Sequence, residues 1–278
     1  VNKLSLEQQT QVIKVLCEGN SIRSTARITG VAVNTVVKLL RDVGAACLDY
    51  QEKVMHDLPC QKLQCDEIWS FVYAKAKNVP EEHNGEFGYG DVWTFTALDA
   101  DTKLVPSWKV GTRDVDCAYD FIADLKDRLA NRVQLTTDGH KMYLEAVEHV
   151  FGSEIDFAML VKLYGQDSDT EKRYSPAECI GAEKRIVQGN PDTKAISTSY
   201  VERQNLTMRM CMRRFTRLTN AFSKKLDNHI LALALYFMHY NFVRPHQTLA
   251  NPYPRTPAMA VGITDRIWTI EEIVGLTA

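Results

Sequence analysis

Gln64-Cys65-Asp66-Glu67-Ile68-Trp69 lies inside Leu63 to Ala74, a run rich in β-branched and aromatic residues, and its reading decides the fold. Such a composition suits a pleated, half-buried strand rather than a helix. Cys65 and Trp69 set Asp66 among apolar neighbours, where a bare carboxylate is costly unless it is paired or metal-bound. An acid in the body of such a strand therefore marks a candidate site.

Downstream, a charged loop with Pro80 and Gly85, Gly88 and Gly90 leads to a predicted second strand, Val92 to Asp99. Asp101-Thr102 makes a tight turn and Lys103 to Val110 returns as a third strand, so the two form a hairpin. Pro106 puts that third strand at an edge, because proline cannot donate to a ladder. Asp116 to Ala130 reads as an amphipathic helix with Ala118, Phe121, Ile122, Leu125 and Leu129 inward. Val133 to Thr137 is a short apolar strand ending at Asp138-Gly139, followed by a helix from Met142 to Phe151 and a strand from Ile155 to Leu163. Residues 165–197 are polar, with Gly and Pro, and read as an insertion or mobile loop. Two long helices are expected at Ser199 to Leu218 and Ser223 to Phe242. A proline-rich tail from Arg244 ends in a short helix near Ile270. This order implies an α/β chain: a mixed sheet with an antiparallel front half and crossover helices behind, the order of the ribonuclease-H-like fold.

Upstream, the first 48 residues read as helices. Ser5 caps one that runs to about Glu18, Ser21 caps a short one through Ile28, and a third runs from Asn34 to about Val43. Ala26, Gly30, Val31, Val36 and Leu39 fall where a helix-turn-helix needs a small residue, a turn glycine and apolar packing residues. Asn34, Thr35, Lys38 and Arg41 lie on the outward side of the second helix of that pair and are candidate DNA contacts. The bland alternative is a small helical bundle for protein contacts. The organisation expected is a helix-turn-helix domain at 1–48, a linker at 49–62, a catalytic domain at 63–243 and a C-terminal tail at 244–278.

Composition excludes several classes. Seven scattered cysteines with no C-x-x-C pair argue against a disulfide framework or a cysteine-bound zinc, and seven histidines form no zinc-hydrolase motif. No signal peptide and no apolar run of membrane-spanning length is read, so the chain is expected to be cytoplasmic, with no membrane partner. A net charge of −2 does not advertise nucleic-acid binding, but residues 203–225 hold seven basic side chains and no acid. Arg203, Arg209, Arg213, Arg214, Arg217, Lys224 and Lys225 form a concentrated phosphate-binding surface.

Three acids stand where the sheet would bring them together: Asp66 in the first strand, Asp138 at the carboxyl end of the fourth, and Glu202 opening the long helix at Ser199. Phosphodiester chemistry needs an activated oxygen nucleophile and a stabilised leaving oxygen, and two divalent ions in an oxygen cage supply both. Carboxylates suit hard cations, so two Mg²⁺ or Mn²⁺ ions are expected in preference to zinc. Glu202, Asn205 and Arg209 recur at helical spacing and share one face. His140, beside Asp138, reads as a loop residue.

With these residues in view the chain resembles the bacterial DDE transposases of the insertion-sequence-one family. The matching strings are Cys65-Asp66-Glu67-Ile68-Trp69, Thr137-Asp138-Gly139-His140-Lys141-Met142-Tyr143 and Val201-Glu202-Arg203-Gln204-Asn205-Leu206-Thr207-Met208-Arg209. Phe222-Ser223-Lys224-Lys225 with His229, and Tyr240-Asn241-Phe242-Val243-Arg244-Pro245-His246, look similar too. The resemblance covers about residues 60–260. It implies a ribonuclease-H-like catalytic domain, Mg²⁺-dependent strand cleavage at transposon terminal inverted repeats, and attack of the freed 3′-OH on target DNA. It also implies metal-ligand roles for Asp66, Asp138 and Glu202, with Asn205 and Arg209 holding the scissile phosphate or terminal base. Pairing two DNA ends implies a homodimer or higher oligomer. The chain departs from the family in a longer gap between Asp138 and Glu202 and in lacking a cysteine-rich segment before the helix-turn-helix. The competing readings are a catalytically silent DNA-binding protein descended from such an enzyme, and a structure-specific nuclease of the same fold.

Overall fold

The computed structural model describes residues 4–165, 179–216 and 220–278. Three helices come first: α1 (Leu6–Cys17), α2 (Ile22–Thr29) and α3 (Val33–Val54). The sheet strands β1 (Lys62–Val72), β2 (Gly90–Asp99) and β3 (Trp108–Gly111) follow, then α4 (Val115–Asp127), β4 (Gln134–Asp138), α5 (Met142–Phe151), β5 (Asp156–Tyr164) and β6 (Cys179–Gln188). Helices α6 (Ser199–Cys211), α7 (Leu226–Met238), α8 (Pro257–Ala260) and α9 (Ile270–Gly275) complete the chain.

The six strands form one mixed sheet in the order β3-β2-β1-β4-β5-β6. β1 is antiparallel to β2, with Asp66 opposite Thr96, and parallel to β4, with Cys65 beside Thr137. β4 and β5 are parallel, and β6 closes the far edge antiparallel to β5. The antiparallel front half and the crossover helices α4 and α5 are those the element order predicts, β6 is an additional antiparallel edge strand, and the sheet is compatible with a ribonuclease-H-like fold. Side-chain alternation sends successive residues of β1 to opposite faces. Glu67 and its neighbour Phe95 meet α4 and α5, where Phe95 lies 5.6 Å from Phe121 and 6.4 Å from Tyr143. Gln64, Asp66 and Thr96 share the other face with Trp108, whose ring stacks 5.3 Å from Phe237 of α7.

Several boundaries differ from expectation for identifiable reasons. The linker predicted at 49–62 is helical as far as Val54, because α3 continues as a packed helix against α7. At their crossing a Cβ on Gly44 would lie 2.4 Å from the carbonyl oxygen of Leu231, so only glycine allows the approach. The third strand begins at Trp108, after Pro106. Just before it, the side-chain amide of Asn241 brackets Val105, accepting from its N–H at 3.1 Å and donating to its carbonyl at 3.0 Å. Within 165–197, residues 179–188 form an edge strand; it is polar because it is exposed along nearly its whole length and has no core-facing alternation. The rest of that loop, 166–178, lies outside the described residues. α6 ends at Cys211, where Met212 turns extended, and Leu218 is outside the described residues. α7 begins at Leu226 because Ser223 bridges alongside Val72, filling the place beside β1 that β4 has left.

The C-terminal tail is packed rather than loose. α9 lies against α1, with Ile273 and Val274 buried, and Trp268 sits 4.9 Å from the ring of Tyr50 in α3. No helix among the described residues is long and apolar enough to cross a membrane.

Gly→Ala usually stabilises an exposed helix by about 1 kcal/mol. At Gly44 the added methyl meets backbone, so Gly44→Ala is expected to destabilise the protein by about 1–3 kcal/mol in urea unfolding. A gain in stability would show that the α3–α7 crossing is loose.

Candidate metal centre

The site grows from one register. Pairing of β1 with β4 stops at Cys65–Thr137, so Asp66 and Asp138 follow as lateral neighbours at the carboxyl edge of the parallel strands. Glu67 leaves β1 from the opposite face. Beyond Asp138 no strand pairs with it on that side, and its carboxylate reaches the same edge. Asp66, Glu67 and Asp138 each offer an oxygen, and the three lie within 4.8 Å of one another.

Each acid is held differently. Asp66 accepts a hydrogen bond from Asn205 Nδ2 at 2.8 Å. Burial, then the charges of Glu67 and Asp138, push its carboxyl up to about 7. Glu67, whose side chain is 1% exposed, accepts from Arg113 Nη2 at 2.5 Å and Nε at 2.6 Å and from the Tyr143 hydroxyl at 3.1 Å. Arg113 is itself laid over Trp93, 4.5 Å from the ring centre. Burial and Asp138 raise the Glu67 carboxyl, while Arg113 and Tyr143 pull it back. Asp138 accepts from the backbone N–H of His140 at 3.0 Å, which fixes the turn out of β4. His140 in turn accepts from the N–H of Met142, the first residue of α5, at 3.4 Å.

α6 lies over the Asp66 face because its first turn is docked on β1. Gln64 Oε1 accepts from the N–H groups of Tyr200 and Val201 at 2.9 and 3.2 Å, and its side chain is buried. That docking carries Asn205 onto Asp66 and brings Glu202 close enough for its charge to raise the Asp66 carboxyl further. Glu202 stands outside the three-acid group. It accepts from Thr198 Oγ1 at 2.5 Å and pairs with Lys162 Nζ, from β5, at 2.6 Å.

The structure thus brings Asp66 and Asp138 together with Asn205 and sets Glu202 beside them. It adds Glu67, which sequence reasoning left out of the site. Glu67 stands next to Asp66 in the deciding string, but strand alternation assigns it to the core side. Its partners lie 46 and 76 residues away. The donor set suits a hard divalent cation: carboxylate oxygens, no sulfur or imidazole, and the buried Asn205 Oδ1, which has no hydrogen-bond partner.

The other candidate contacts fall on two surfaces. Arg203, Arg213, Lys224 and Lys225 are exposed, Arg209 is half-buried, and Arg217 lies outside the described residues. Arg214 donates to Ser223 Oγ at 2.5 Å. On α3, Asn34, Lys38 and Arg41 are exposed and Thr35 is half-buried; Lys38 pairs with Asp42 at 2.5 Å. Gly30 ends α2 at φ 71°, the left-handed turn expected between these helices.

No known family model and no curated protein matches this chain. Among solved structures it is similar to a piggyBac transposase synaptic complex with hairpin DNA, at a TM-score of 0.37 and 8% identity, covering 98% of this chain and 69% of that one. A likeness at that level leaves the site to be read from its own residues.

The raised Asp66 carboxyl predicts a pH dependence. Its folded value of about 7 exceeds its ordinary 3.8, so its contribution to stability is full below the ordinary value and lost as pH rises through about 7. With divalent ions chelated, wild-type protein should lose roughly 5 °C of melting temperature relative to Asp66→Asn between pH 4 and 8. A difference that does not change with pH would contradict the proposed burden on Asp66.

Proposed function

We propose that this chain is a DNA transposase that cleaves transposon ends and joins the 3′-OH to target DNA. The observation that carries this reading is the lateral pair Asp66–Asp138 at the carboxyl edge of β1 and β4, with Glu67 within 4.8 Å of both and Asn205 on Asp66. Two divalent ions, Mg²⁺ or Mn²⁺, when bound at such a cluster, supply activation of an oxygen nucleophile and stabilisation of the leaving oxygen of a phosphodiester. Asp66 and Asp138 would hold them, and Glu202, which stands beside the cluster paired with Lys162, is assigned as the third ligand. The strings that resemble the insertion-sequence-one enzymes support this reading, and membership of that family is part of the proposal.

The protein's own groups do the rest. Asn205 orients the Asp66 carboxylate so that its second oxygen faces the cluster, and Arg209, one helical turn further on the same face, is assigned to the scissile phosphate. Arg203, Arg213, Lys224 and Lys225 neutralise backbone phosphates of the bound DNA. The α2–α3 pair acts as a helix-turn-helix, with Asn34, Thr35, Lys38 and Arg41 on the DNA side. Two copies acting together hold the two ends of one element.

The test uses full-length protein, Mg²⁺ and a labelled duplex carrying an end of the element that encodes it. Wild type is expected to nick at the element boundary, and Asp138→Asn to fall by more than about 100-fold. Equal cleavage by the two proteins overturns the reading. Glu202→Gln is expected to lose strand transfer while keeping or raising DNA affinity, because a negative charge near phosphates is removed. If Glu67→Gln is the variant that loses transfer and Glu202→Gln is active, Glu67 holds the place assigned to Glu202.

A further inference from the structure

A cavity of about 860 Å³ opens between the N-terminal helices and the segment that joins α6 to α7, apart from the acid cluster. One wall is the α1–α2 turn with the first turns of α3. The other is formed by Cys211 to Arg214 and by Asn220, Ala221, Phe222 and Lys224, with α7 as floor. The walls meet at a fixed point: a Cβ on Gly19 would lie 2.8 Å from the carbonyl oxygen of Cys211, so glycine at φ 78° is required there.

Four cations line this cavity: Arg23, Arg213, Arg214 and Lys224. No Asp or Glu is among its described lining residues, although the whole chain has more acids than bases. Arg23, Arg213 and Lys224 are exposed and have no ion-pair partner among the described residues. The Arg214 side chain is partly buried, and its hydrogen bond goes to a hydroxyl, Ser223 Oγ, rather than to a carboxylate. Burial lowers it to about 10, and the neighbouring His229, which burial takes down to about 3, adds no charge of its own near neutral pH. A partly buried cation without an ion-pair partner among the described residues carries a desolvation cost, which an incoming phosphate offsets. Asn228 adds a buried amide oxygen without a partner in the same cavity, an acceptor for a base N–H rather than for the phosphate. Glu18, next to the lining residue Cys17, reaches His239 at the cavity's back with its charge.

We propose that this cleft binds an unpaired nucleic-acid strand by its phosphodiester backbone. The inference rests on the reading of the chain as an enzyme of DNA ends, and it adds the form of DNA taken. The volume is that of a small-ligand pocket, roughly 300–1,000 Å³, which admits a few nucleotides of a single strand and excludes a duplex. Basic groups that track a backbone, set against apolar and aromatic walls that tolerate any base, are the features of single-strand sites. Here Val33, Val37 and Phe222 supply the walls. Phe222 also begins a row of half-buried rings: it lies 5.0 Å from Phe71, which lies 5.8 Å from Trp69 on the strand that carries Asp66. A strand seated in the cleft is therefore led along β1 towards the acids.

The experiment measures fluorescence anisotropy of full-length protein in chelator, with a blunt duplex and the same duplex carrying a short single-stranded extension. The extension is expected to raise wild-type affinity about tenfold, the effect of one or so stacked and neutralised nucleotides. Arg214→Gln and, independently, the exposed Arg23→Glu should bring the extended probe to within about twofold of the blunt one, while thermal melting shows each variant folded. The proposal is overturned if the extension gives wild type no advantage, or if the advantage survives in Arg23→Glu. Displacement of the extended probe by free nucleoside triphosphate at similar concentration would instead make this a small-ligand pocket. Because no divalent ion is present, binding that persists in a protein unable to nick DNA keeps this inference and removes only the catalytic reading.

Discussion

Three carboxyl oxygens within 4.8 Å of one another at a buried sheet edge repel, and the surrounding structure is arranged to bear that repulsion. Two unit charges about 4 Å apart repel by about 4 kcal/mol at the effective dielectric of a protein surface, a large part of a typical folding free energy. The three acids share the load unevenly. Asp66 carries it by retaining its proton to about pH 7, Glu67 by pairing with Arg113, and Asp138 by accepting a backbone N–H. The arrangement is tolerable without added positive charge and is relieved by it. Structural ion pairs usually match each buried acid with its own base; this cluster matches only one of three.

The supports are drawn from both faces of the sheet. Tyr143 and Arg113 approach Glu67 from the α4–α5 side, while Asn205 approaches Asp66 from α6. Gln64 joins these layers, since it sits in β1 yet caps the first turn of α6. Moving that side chain would shift Asn205 and Glu202 together. The position of Glu202 relative to Asp66 is thus fixed by a residue two places before Asp66 in the same strand. Lys162 then decides which way the Glu202 carboxylate turns.

Much of this was legible in the sequence because it depends on local pattern. The strand around Asp66, the Asp138-Gly139 ending of β4, and the turn at Asp101-Thr102 follow from composition and turn chemistry. The left-handed Gly30 between α2 and α3 follows in the same way. What was not legible depends on distant partners. Glu67 reads as a core-side residue until Arg113 and the end of β4 are placed around it. The continuation of α3 past residue 49 depends on α7, nearly two hundred residues later, and on Gly44 permitting the crossing. β6 escapes periodicity altogether, because an edge strand exposed on both faces has no apolar side to alternate. The early stop of α6 at Cys211 falls where its end packs against the Gly19 turn, and α6 contains no glycine or proline to signal it.

That last contact bears on how the two basic surfaces cooperate. A helix-turn-helix on a flexible linker searches for DNA independently of the catalytic unit, and its benefit is an effective concentration set by linker length. Here no such freedom exists along α3. The helix that presents Asn34, Lys38 and Arg41 is the same helix that crosses α7 at Gly44, and six residues of helix rise only about 9 Å. Under the proposed reading, duplex held on α3 is consequently held at a set distance and angle from the cleft at Arg214 and from the acids beyond it. Recognition and cutting positions are then fixed relative to each other by packing. An extra residue in the α1–α2 turn would displace Gly19 from Cys211 and uncouple the two, even though it touches neither the acids nor the outward face of α3.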